Sequence, residues 1–585
     1  MRPWLWLGTV FVMLAAPGVA QEQMMVLAAS GHQLCTLRAN VFAGSPRGVG
    51  VGFLRVEVEN VDAVPHAVEV ELSTLKLGDS DVLVRQRFPL AAQERAVAFL
   101  PLPAPMTSLR LRFFGEGQEQ VVVIGPVQGQ GLVGVLLSDR TDTLPAGLLR
   151  VQALRSWSAK PPVLLPCTPN EAPTDWRLYA GFDFVLVDGR ARLSSDLQEA
   201  LRRAAFAGST MVIAGAESMS PGSLRLAAMA SSRDGRIAHG LGVLCTIPSL
   251  DAEPLSARPI LAGLGELGDG PLPLPLVLAS EQTIPGLGDA PVTAFLLVIV
   301  LFALVAGPIN FILLWRWRRP MLALVTVPAL GFGTTAVILV YGFLHDGFVV
   351  RGVVTSWTLL DQGRHEAVTI AARTLFAGRA PGTLSMGADS LVLSPRSTQR
   401  PEGAADRWHY DAEHQRLDGG VLPSRTATPL CSLQQGVIRE RLTVQRQAGS
   451  LRVLTDGGMQ PIGPMVLRDL EGAYWLGEAN GLRQVSDGEA GNAIASMEAI
   501  VDVLEVEVEV ERHPWQRHQP PTREAKRVQV GDLVERMFAR DAMPKGSFLA
   551  QVTKAPWLDT HGLDVHYDAE RHFVHGRLQA EDFVQ

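Results

Sequence analysis

Cysteine is scarce in this chain. Four occur in 585 residues, Cys35, Cys167, Cys245 and Cys431, too few and too scattered for a disulfide framework. One bridge, Cys167–Cys245, stays open, since both fall in one proposed domain. Cys35 lacks the small-residue context of a lipidation site. No basic stripe is present: 52 Lys and Arg stand against 59 Asp and Glu, a net charge of −7, so nucleic acid is not an expected partner. The helical His-Glu-x-x-His arrangement of a zinc protease is missing. Charge is absent from two long apolar runs, Pro291–Trp315 and Pro320–Leu344.

Those runs are what the chain has most distinctively. Each is about 25 residues, or about 37 Å as a helix, against a hydrocarbon core of about 30 Å. Between them lies the turn 316–319, with Arg316, Arg318 and Arg319. A charge at mid-bilayer costs about 2.5–3.5 kcal/mol on insertion scales, so these arginines mark a point outside the lipid. The pattern predicts a transmembrane hairpin: helix 1 over 291–315, a cytoplasmic turn over 316–319, helix 2 over 320–344. The N-terminus agrees. Arg2, the apolar stretch Trp4–Ala16 and then Pro17, Gly18, Val19 and Ala20 read as a signal peptide over 1–20, cut after Ala20; an uncleaved anchor is the alternative. Both place the large regions outside a bacterial inner membrane, on the periplasmic or extracytoplasmic side, with the basic turn inside.

The exported parts are long enough for several domains. Residues 21–127 alternate with period two. In Val51–Val61, Arg55, Glu57 and Glu59 fall on one face and Leu54, Val56 and Val58 on the other. Ala67–Leu72 and Leu109–Phe114 repeat the pattern, which predicts a β-sandwich of immunoglobulin-like type. Residues 128–285 change to short continuous apolar runs, Leu132–Leu137, Pro162–Leu165 and Phe182–Val187. Helical stretches at Leu144–Trp157 and after Ser194 alternate with them, and Thr210–Ala214 follows as a strand. That alternation predicts an α/β, flavodoxin-like domain with a covered parallel sheet. Ser194 or Ser195 is the expected N-cap and Gly208 the helix stop. Residues 345–585 read as β-rich, in two subdomains. The fold class is thus a multidomain membrane protein: N-terminal β-sandwich, α/β domain, two-helix hairpin and C-terminal β-rich region.

Ligands of open parallel sheets bind beyond the strands' carboxyl ends. Asp139, Asp188 and Glu217 are the candidate ligand-binding acids there, with Ser138, Gly189 and Gly215 beside them; capping of the following helices is the competing use. Nothing calls for a cofactor or a metal, and no residue set is assigned to catalysis. His561, His566, His572 and His575 cluster near the end among Asp559, Asp564, Asp568 and Glu570. In a strand His572 and His575 point to opposite faces, so a hydrated hairpin is expected rather than a metal site. His409–Leu422 echoes His566–Leu578, and each copy reads as a hairpin turning at Asp-Ala-Glu.

Two resemblances follow. The stretch WRLYAGFDFVLVDGRARLSSDLQEALRRAAFAGSTMVIAGAE (176–217) resembles the class I glutamine amidotransferase-like fold. The active enzymes of that fold carry a Gly-x-Cys-x-Gly elbow with a downstream His and acid, and this chain has no such elbow. Cys167 adjoins Pro166, Cys245 lies in an apparent strand, and His239 nearby makes no convincing pair. Gly307, Pro308 and Asn310, then Arg316, Arg318 and Arg319, then Thr326 and Pro328 resemble the hairpin of a group of uncharacterised bacterial two-helix membrane proteins with a degenerate amidotransferase-like exported domain. KGSFLAQVTKAPWLD (545–559) and HFVHGRL (572–578) resemble that group's last strands. The resemblance implies an accessory envelope protein with membrane lipid and another membrane or envelope protein, such as a transporter or secretion component, as partners.

Asn310 is the one strongly polar side chain in the spans. It is expected to bond the partner helix, to snorkel or to meet a third membrane protein. Gly307, Gly331 and Gly333 are expected to permit close helix contact. Three functions stay in view: a non-enzymatic membrane-anchored accessory or scaffold subunit, an exported metal- or acid-dependent hydrolase using the rim acids, and a cell-wall glycan binder using Trp408, Trp475, Trp515 and Trp557.

Overall fold

The computed structural model describes residues 21–29, 32–44, 50–74, 82–104, 109–124, 133–139, 163–215, 236–239, 241–247, 284–285, 292–346, 349–393, 407–410, 414–418, 422–447, 449–456, 458–502, 505–509, 523–527, 543–555 and 557–584. The proposed signal peptide, the expected helix at 144–157 and Glu217 lie outside them. The described chain is mostly β-sheet with few helices.

The first eight strands are β1 (Gln21–Ala29), β2 (His32–Phe42), β3 (Gly50–Asn60), β4 (His66–Thr74), β5 (Val82–Leu90), β6 (Arg95–Ala104), β7 (Leu109–Gly115) and β8 (Gln118–Ile124). They form one sheet in the order β1-β2-β3-β6 and half of another, β5-β4-β7-β8. The alternating residues dictate this. Leu54, Val56 and Val58 turn into a shared apolar cluster with Val68, Val70 and Leu111. On the charged face of β3 only Glu59 is exposed. Arg55 and Glu57 are buried and pair at 2.9 Å, and Arg95 closes on Glu57. Phe53, on the same face, meets Tyr179 and Phe182 edge-on, with ring centroids 6.1 and 5.9 Å apart. Gly181 is obligatory here: a Cβ would stand 2.7 Å from the Val51 carbonyl carbon.

Next come β9 (Val133–Leu137), β10 (Val163–Cys167), β11 (Phe184–Asp188), α1 (Ser195–Ala207), β12 (Thr210–Ala214), β13 (Arg236–His239) and β14 (Gly242–Ile247). They make a six-stranded sheet ordered β10-β9-β11-β12-β14-β13. All neighbours are parallel except β13 with β14. Ser194 caps α1, its Oγ accepting from the Leu197 amide at 3.2 Å, and Gly208 ends it at φ +129°. This order excludes the Cys167–Cys245 bridge. Cys167 ends β10 and Cys245 lies in β14, four strand spacings away, or about 19 Å, where a disulfide needs Cα atoms within about 7 Å. All four cysteines are buried, and none is in a disulfide.

Two apolar helical segments follow. The first comprises α2 (Val292–Leu304), a π-helical turn Val305–Ile309 and α3 (Asn310–Arg316); the second is α4 (Ala323–Asp346), entered through a short 3-10 turn, Pro320–Leu322. Pro308 sits in the π turn, as its missing N–H predicts. Both segments are long and apolar enough to cross a membrane, and the rest of the protein leaves them almost wholly uncovered. Asn310 is buried between them, its Nδ2 donating to Thr326 Oγ1 at 2.9 Å. The glycines do not serve as expected. A Cβ at Gly307, Gly331 or Gly333 would meet nothing within 4 Å, so these positions face away from the partner helix.

The last part holds β15 (Val350–Asp361), β16 (Glu366–Ala377), β17 (Thr383–Gly387), β18 (Ser390–Leu393), β19 (Arg407–Tyr410), β20 (His414–Asp418), β21 (Ala427–Val437), β22 (Arg441–Gln447), β23 (Ser450–Asp456), β24 (Pro461–Arg468), β25 (Tyr474–Glu478), β26 (Gly481–Val485), α5 (Asp487–Asp502), β27 (Glu505–Glu509), β28 (Arg523–Arg527), β29 (Ser547–Val552), β30 (Val565–Arg577) and β31 (Phe583–Val584). Twelve strands form one sheet, β18-β21-β16-β15-β30-β29-β24-β25-β26-β23-β22-β31, and β27 pairs with β28. The two His-Tyr-Asp-Ala-Glu copies differ. The first is a hairpin, β19 against β20. The second is not: β30 runs straight through it in parallel with β15, and the register slips by one residue at Asp568. Arg351 grips Asp568 at 2.7 Å, so the carboxylate that would open a turn holds a bulge instead.

The regions before and after the apolar helices are not separate lobes. Strands β17, β20 and β19 extend the N-terminal sheet, in the order β17-β20-β19-β5-β4-β7-β8. Asp175 pairs with the fully buried Arg177 at 2.6 Å. Tyr410 from β19 donates its hydroxyl to Asp175 at 2.7 Å, and Arg177 stacks over its ring at 4.5 Å. Trp176 Nε1 donates to the Ala388 carbonyl. From α1, Arg202 pairs with Glu366 and Arg203 with Asp389. A protease site engineered into 316–319 and cut in detergent should therefore leave two fragments that co-purify on a tag placed on either one. Their separation under native conditions would overturn the interlocked arrangement.

Candidate functional site

The rim of the parallel sheet is the first place to look. Ser138 Oγ donates to Asp188 Oδ2 at 3.0 Å. Asp188 Oδ1 accepts from the Arg190 amide at 3.0 Å, and the Asp188 carbonyl accepts from Ala191. The carboxylate thus closes the turn that leads towards α1. The Gly189 amide donates to Ala214, and Gly215 follows at φ +108°. Asp139 is exposed at the end of β9. The structure brings Asp139 and Asp188 to neighbouring strand ends, and engages Asp188 in turn-making. Among the described residues, no group of three or more His, Cys, Asp or Glu is arranged to hold a metal.

The thiols are poor nucleophiles where they stand. Burial pushes Cys167 up to about 12, with Glu171 adding to it, and pushes Cys35 up to about 11. Cys431 is raised by burial as well, against the nearby Arg373 charge. A thiol with such a pKa is almost wholly protonated near pH 7.

The second polar concentration was not legible as a site. It lies where the segment Trp557–His561 crosses β15, β16 and β21. Trp557 Nε1 donates to Thr358 Oγ1 and Thr369 Oγ1, at 3.2 and 3.1 Å. Gln434 reads the strap at two points, donating to the Trp557 carbonyl and accepting from the Asp559 amide. Arg373, fully buried, donates to the Asp559 carbonyl at 2.5 Å. His561, also fully buried, adopts a left-handed φ of +60°. Its Nδ1 stands 3.5 Å from Asp559 Oδ2. Burial, then the Arg373 charge, lowers His561 to about 4. Partial burial works to raise Asp559, but hydrogen bonding from His561 and the Arg373 charge outweigh it and leave it at about 2.

Beside the strap, Ser356 Oγ lies 2.7 Å from His572 Nδ1, and His572 Nε2 lies 3.1 Å from Glu570 Oε2. The order Ser-His-acid is that of a nucleophile relay. Ser356 is fully buried between β15 and β30, where no substrate carbonyl can reach it. The relay satisfies buried polar groups inside a sheet. The C-terminal histidines are therefore not a hydrated hairpin: His561, His572 and His575 are all buried. The tryptophans follow suit. Trp475 is buried with its Nε1 on Asp469, and Trp557 is half-buried and bonded as above, so neither offers a flat exposed face to a sugar. Trp515 lies outside the described residues. A cleft of about 620 Å³ near the β15–β16 turn is lined by Asp361, Arg364, Arg577 and Glu581, two charges of each sign.

No protein-family model matches the chain, and no curated protein does. Among solved structures, a β-glucosidase from Listeria innocua in complex with gluconolactone is 15% identical over 16% of this chain and 17% of its own, with a TM-score of 0.12. A carbohydrate acetylesterase from Xanthomonas citri is 10% identical over 67% of this chain and 95% of its own, with a TM-score of 0.20. A cycloisomaltooligosaccharide glucanotransferase from Paenibacillus sp. is 10% identical over 30% and 27%, with a TM-score of 0.14. Scores this low carry no argument about this chain's fold or activity.

The buried strap makes stability depend on pH. His561 takes up a proton in the unfolded chain near pH 6.5 and in the folded one only near 4, so the unfolded state binds more protons between those values. Stability is then full above about pH 6.5 and falls as pH drops towards 4, by about 3 kcal/mol at most. His572, lowered by burial, acts in the same sense; His66, raised by its hydrogen bond to Asp62, acts in the opposite sense. Melting of His561→Asn against wild type at pH 5 and 7.5 isolates the contribution. Asn tolerates the left-handed backbone, and the variant should lose less stability on acidification. An unchanged pH slope would refute the assignment.

Proposed function

We propose that this chain is a non-enzymatic accessory or scaffold subunit of a bacterial inner membrane, held by a two-helix hairpin and presenting one extracytoplasmic body to a partner membrane or envelope protein. The observation that carries the reading is the interlock across the apolar helices. Residues 82–90 and 407–410 share a sheet, so the chain leaves that body through one apolar segment and returns to it through the other. Two uncovered segments of that kind, Leu296–Arg316 and Pro320–Ile338, suit a U-shaped membrane excursion. Arg316, Arg318 and Arg319 at its tip support a cytoplasmic turn by the positive-inside rule.

The strand order β10-β9-β11-β12-β14 supports reading residues 128–285 as a flavodoxin-like domain. Its two thiols are buried, and burial raises Cys167 far above the usual range, which supports reading it as an amidotransferase-like scaffold put to binding. Its rim, with Asp139 and Asp188, would then serve as contact surface. Asn310, spent on Thr326, would hold the hairpin closed and leave its outer faces for helix contacts.

Two measurements test this. A single cysteine placed at Arg318→Cys should react with a membrane-impermeant maleimide only after the cells are opened, while the large body should be digested by protease added to spheroplasts. Labelling of intact spheroplasts at that cysteine would reverse the topology. Cross-linking in native membranes should capture the same discrete membrane or envelope protein with wild type, and lose it when 292–346 is replaced by an unrelated hairpin. Equal capture of nothing by both forms would sink the accessory role.

A further inference from the structure

We propose that the hairpin tip, Trp315–Arg319, binds the phosphate headgroups of anionic phospholipid in the leaflet it faces. The inference rests on the membrane reading above and goes beyond it, because the positive-inside rule asks only where the charges sit. Three observations carry it. Arg316, Arg318 and Arg319 are all exposed, and the stretch 291–344 contains no acid that could neutralise them. Among the described residues no ion pair engages any of the three. Trp315 and Trp317 flank Arg316 and are 73% and 59% exposed, large amphipathic rings of the kind that settle at headgroup depth.

The backbone fixes this tip. The amides of Trp317, Arg318 and Arg319 donate to the carbonyls of Leu313, Trp315 and Leu314, at 3.1, 3.0 and 3.0 Å. Arg318 takes a left-handed φ of +54° just beyond the end of α3, so the three arginines lie on a tight turn. Three cations within four residues, next to two interfacial rings, complement a negatively charged headgroup layer. Each contributes to lipid attraction only near the surface, within a Debye length. A zwitterionic headgroup offers no net charge to match.

Native mass spectrometry of the purified full-length protein, released from detergent with equal phosphatidylglycerol and phosphatidylcholine, tests the proposal. Wild type is expected to retain phosphatidylglycerol preferentially. Each Arg→Gln change should lower that retention about fivefold at low salt. The triple variant R316Q/R318Q/R319Q should retain the two lipids equally. The triple Arg→Lys variant should keep the preference, since charge carries it, and excess inorganic phosphate should not displace the lipid. Equal retention by wild type, or an undiminished preference in the triple Gln variant, would overturn the proposal. Alkaline-carbonate extraction of the same proteins separates the two failures. Protein that remains in the membrane pellet without a lipid preference defeats this proposal alone, whereas protein released into the supernatant defeats the membrane reading and this proposal with it.

Discussion

The pairing of β5 with β19 constrains everything else. These strands lie on opposite sides of the apolar helices in sequence, and they belong to one sheet. Bringing them together closes a loop of more than three hundred residues, an entropic cost that grows only slowly with length. The antiparallel helices lower it further, because a formed hairpin already returns the chain to the place it left. What then holds the two parts is specific. Arg177 is buried against Asp175 and the Tyr410 ring. Gln435 and Arg203 exchange contacts between β21 and α1. Truncating one member of the Asp175–Arg177–Tyr410 set would leave a buried guanidinium or carboxylate without its counterpart, which costs far more than a surface pair contributes.

The same preference for satisfied burial explains the C-terminal sheet. Its central strands carry Ser356, Thr358, Thr369, Arg373 and Gln434, an unusual load for a core. The strap from Trp557 to His561 covers that face and answers most of these groups with its own ring nitrogen and backbone. Burial first, and the nearby Arg373 charge second, hold His561 below the usual histidine range. The consequence for chemistry is direct. Side chains that could make a nucleophile or a base are spent on holding strands and strap together, and they lie out of solvent's reach. By contrast Asp139 on the rim and the three arginines of the hairpin tip are exposed.

Much of the architecture was legible because burial imposes a period. The alternation in Val51–Val61 and the continuous run FDFVLV declared β3 and β11, and Ser194 and Gly208 marked both ends of α1. The failures share a cause: a local pattern does not say what covers a face. Alternation put Arg55 and Glu57 on one face of β3 but could not show that this face is covered: both are buried, and Phe53 beside them packs on Tyr179 and Phe182. The first His-Tyr-Asp-Ala-Glu copy lies between the antiparallel strands β19 and β20, whereas the second runs inside one strand with a bulge, because β15 offers it a long parallel partner and Arg351 offers Asp568 a cation. The strap was hidden for the same reason. Trp557 looked like a platform for sugar until Thr358 and Thr369, nearly two hundred residues earlier, were found beneath it. Asp139 and Asp188 stand at neighbouring strand ends, while Glu217 lies outside the described residues; spacing could not show that Asp188 would be occupied by Ser138 and by its own turn.

The hairpin's internal economy bears on how it can be read from outside. Asn310 and Thr326 join the helices at one hydrogen bond, of a strength that averages under about 1 kcal/mol among membrane helices. It fixes register more than it adds stability, and it sits one residue beyond the π turn that accommodates Pro308. The helix pair is therefore pinned near its tip and kinked beside the pin. Gly307, Gly331 and Gly333, which would have joined the helices had they faced inward, leave bare backbone on the outside. In lipid such backbone gains most from another helix that can approach it closely. The polar pair thus closes the hairpin on one side and leaves its small residues on the other. Neither apolar run, Pro291–Trp315 or Pro320–Leu344, carries a charged side chain, so the two helices alone offer no charged groups from which a pathway could be built.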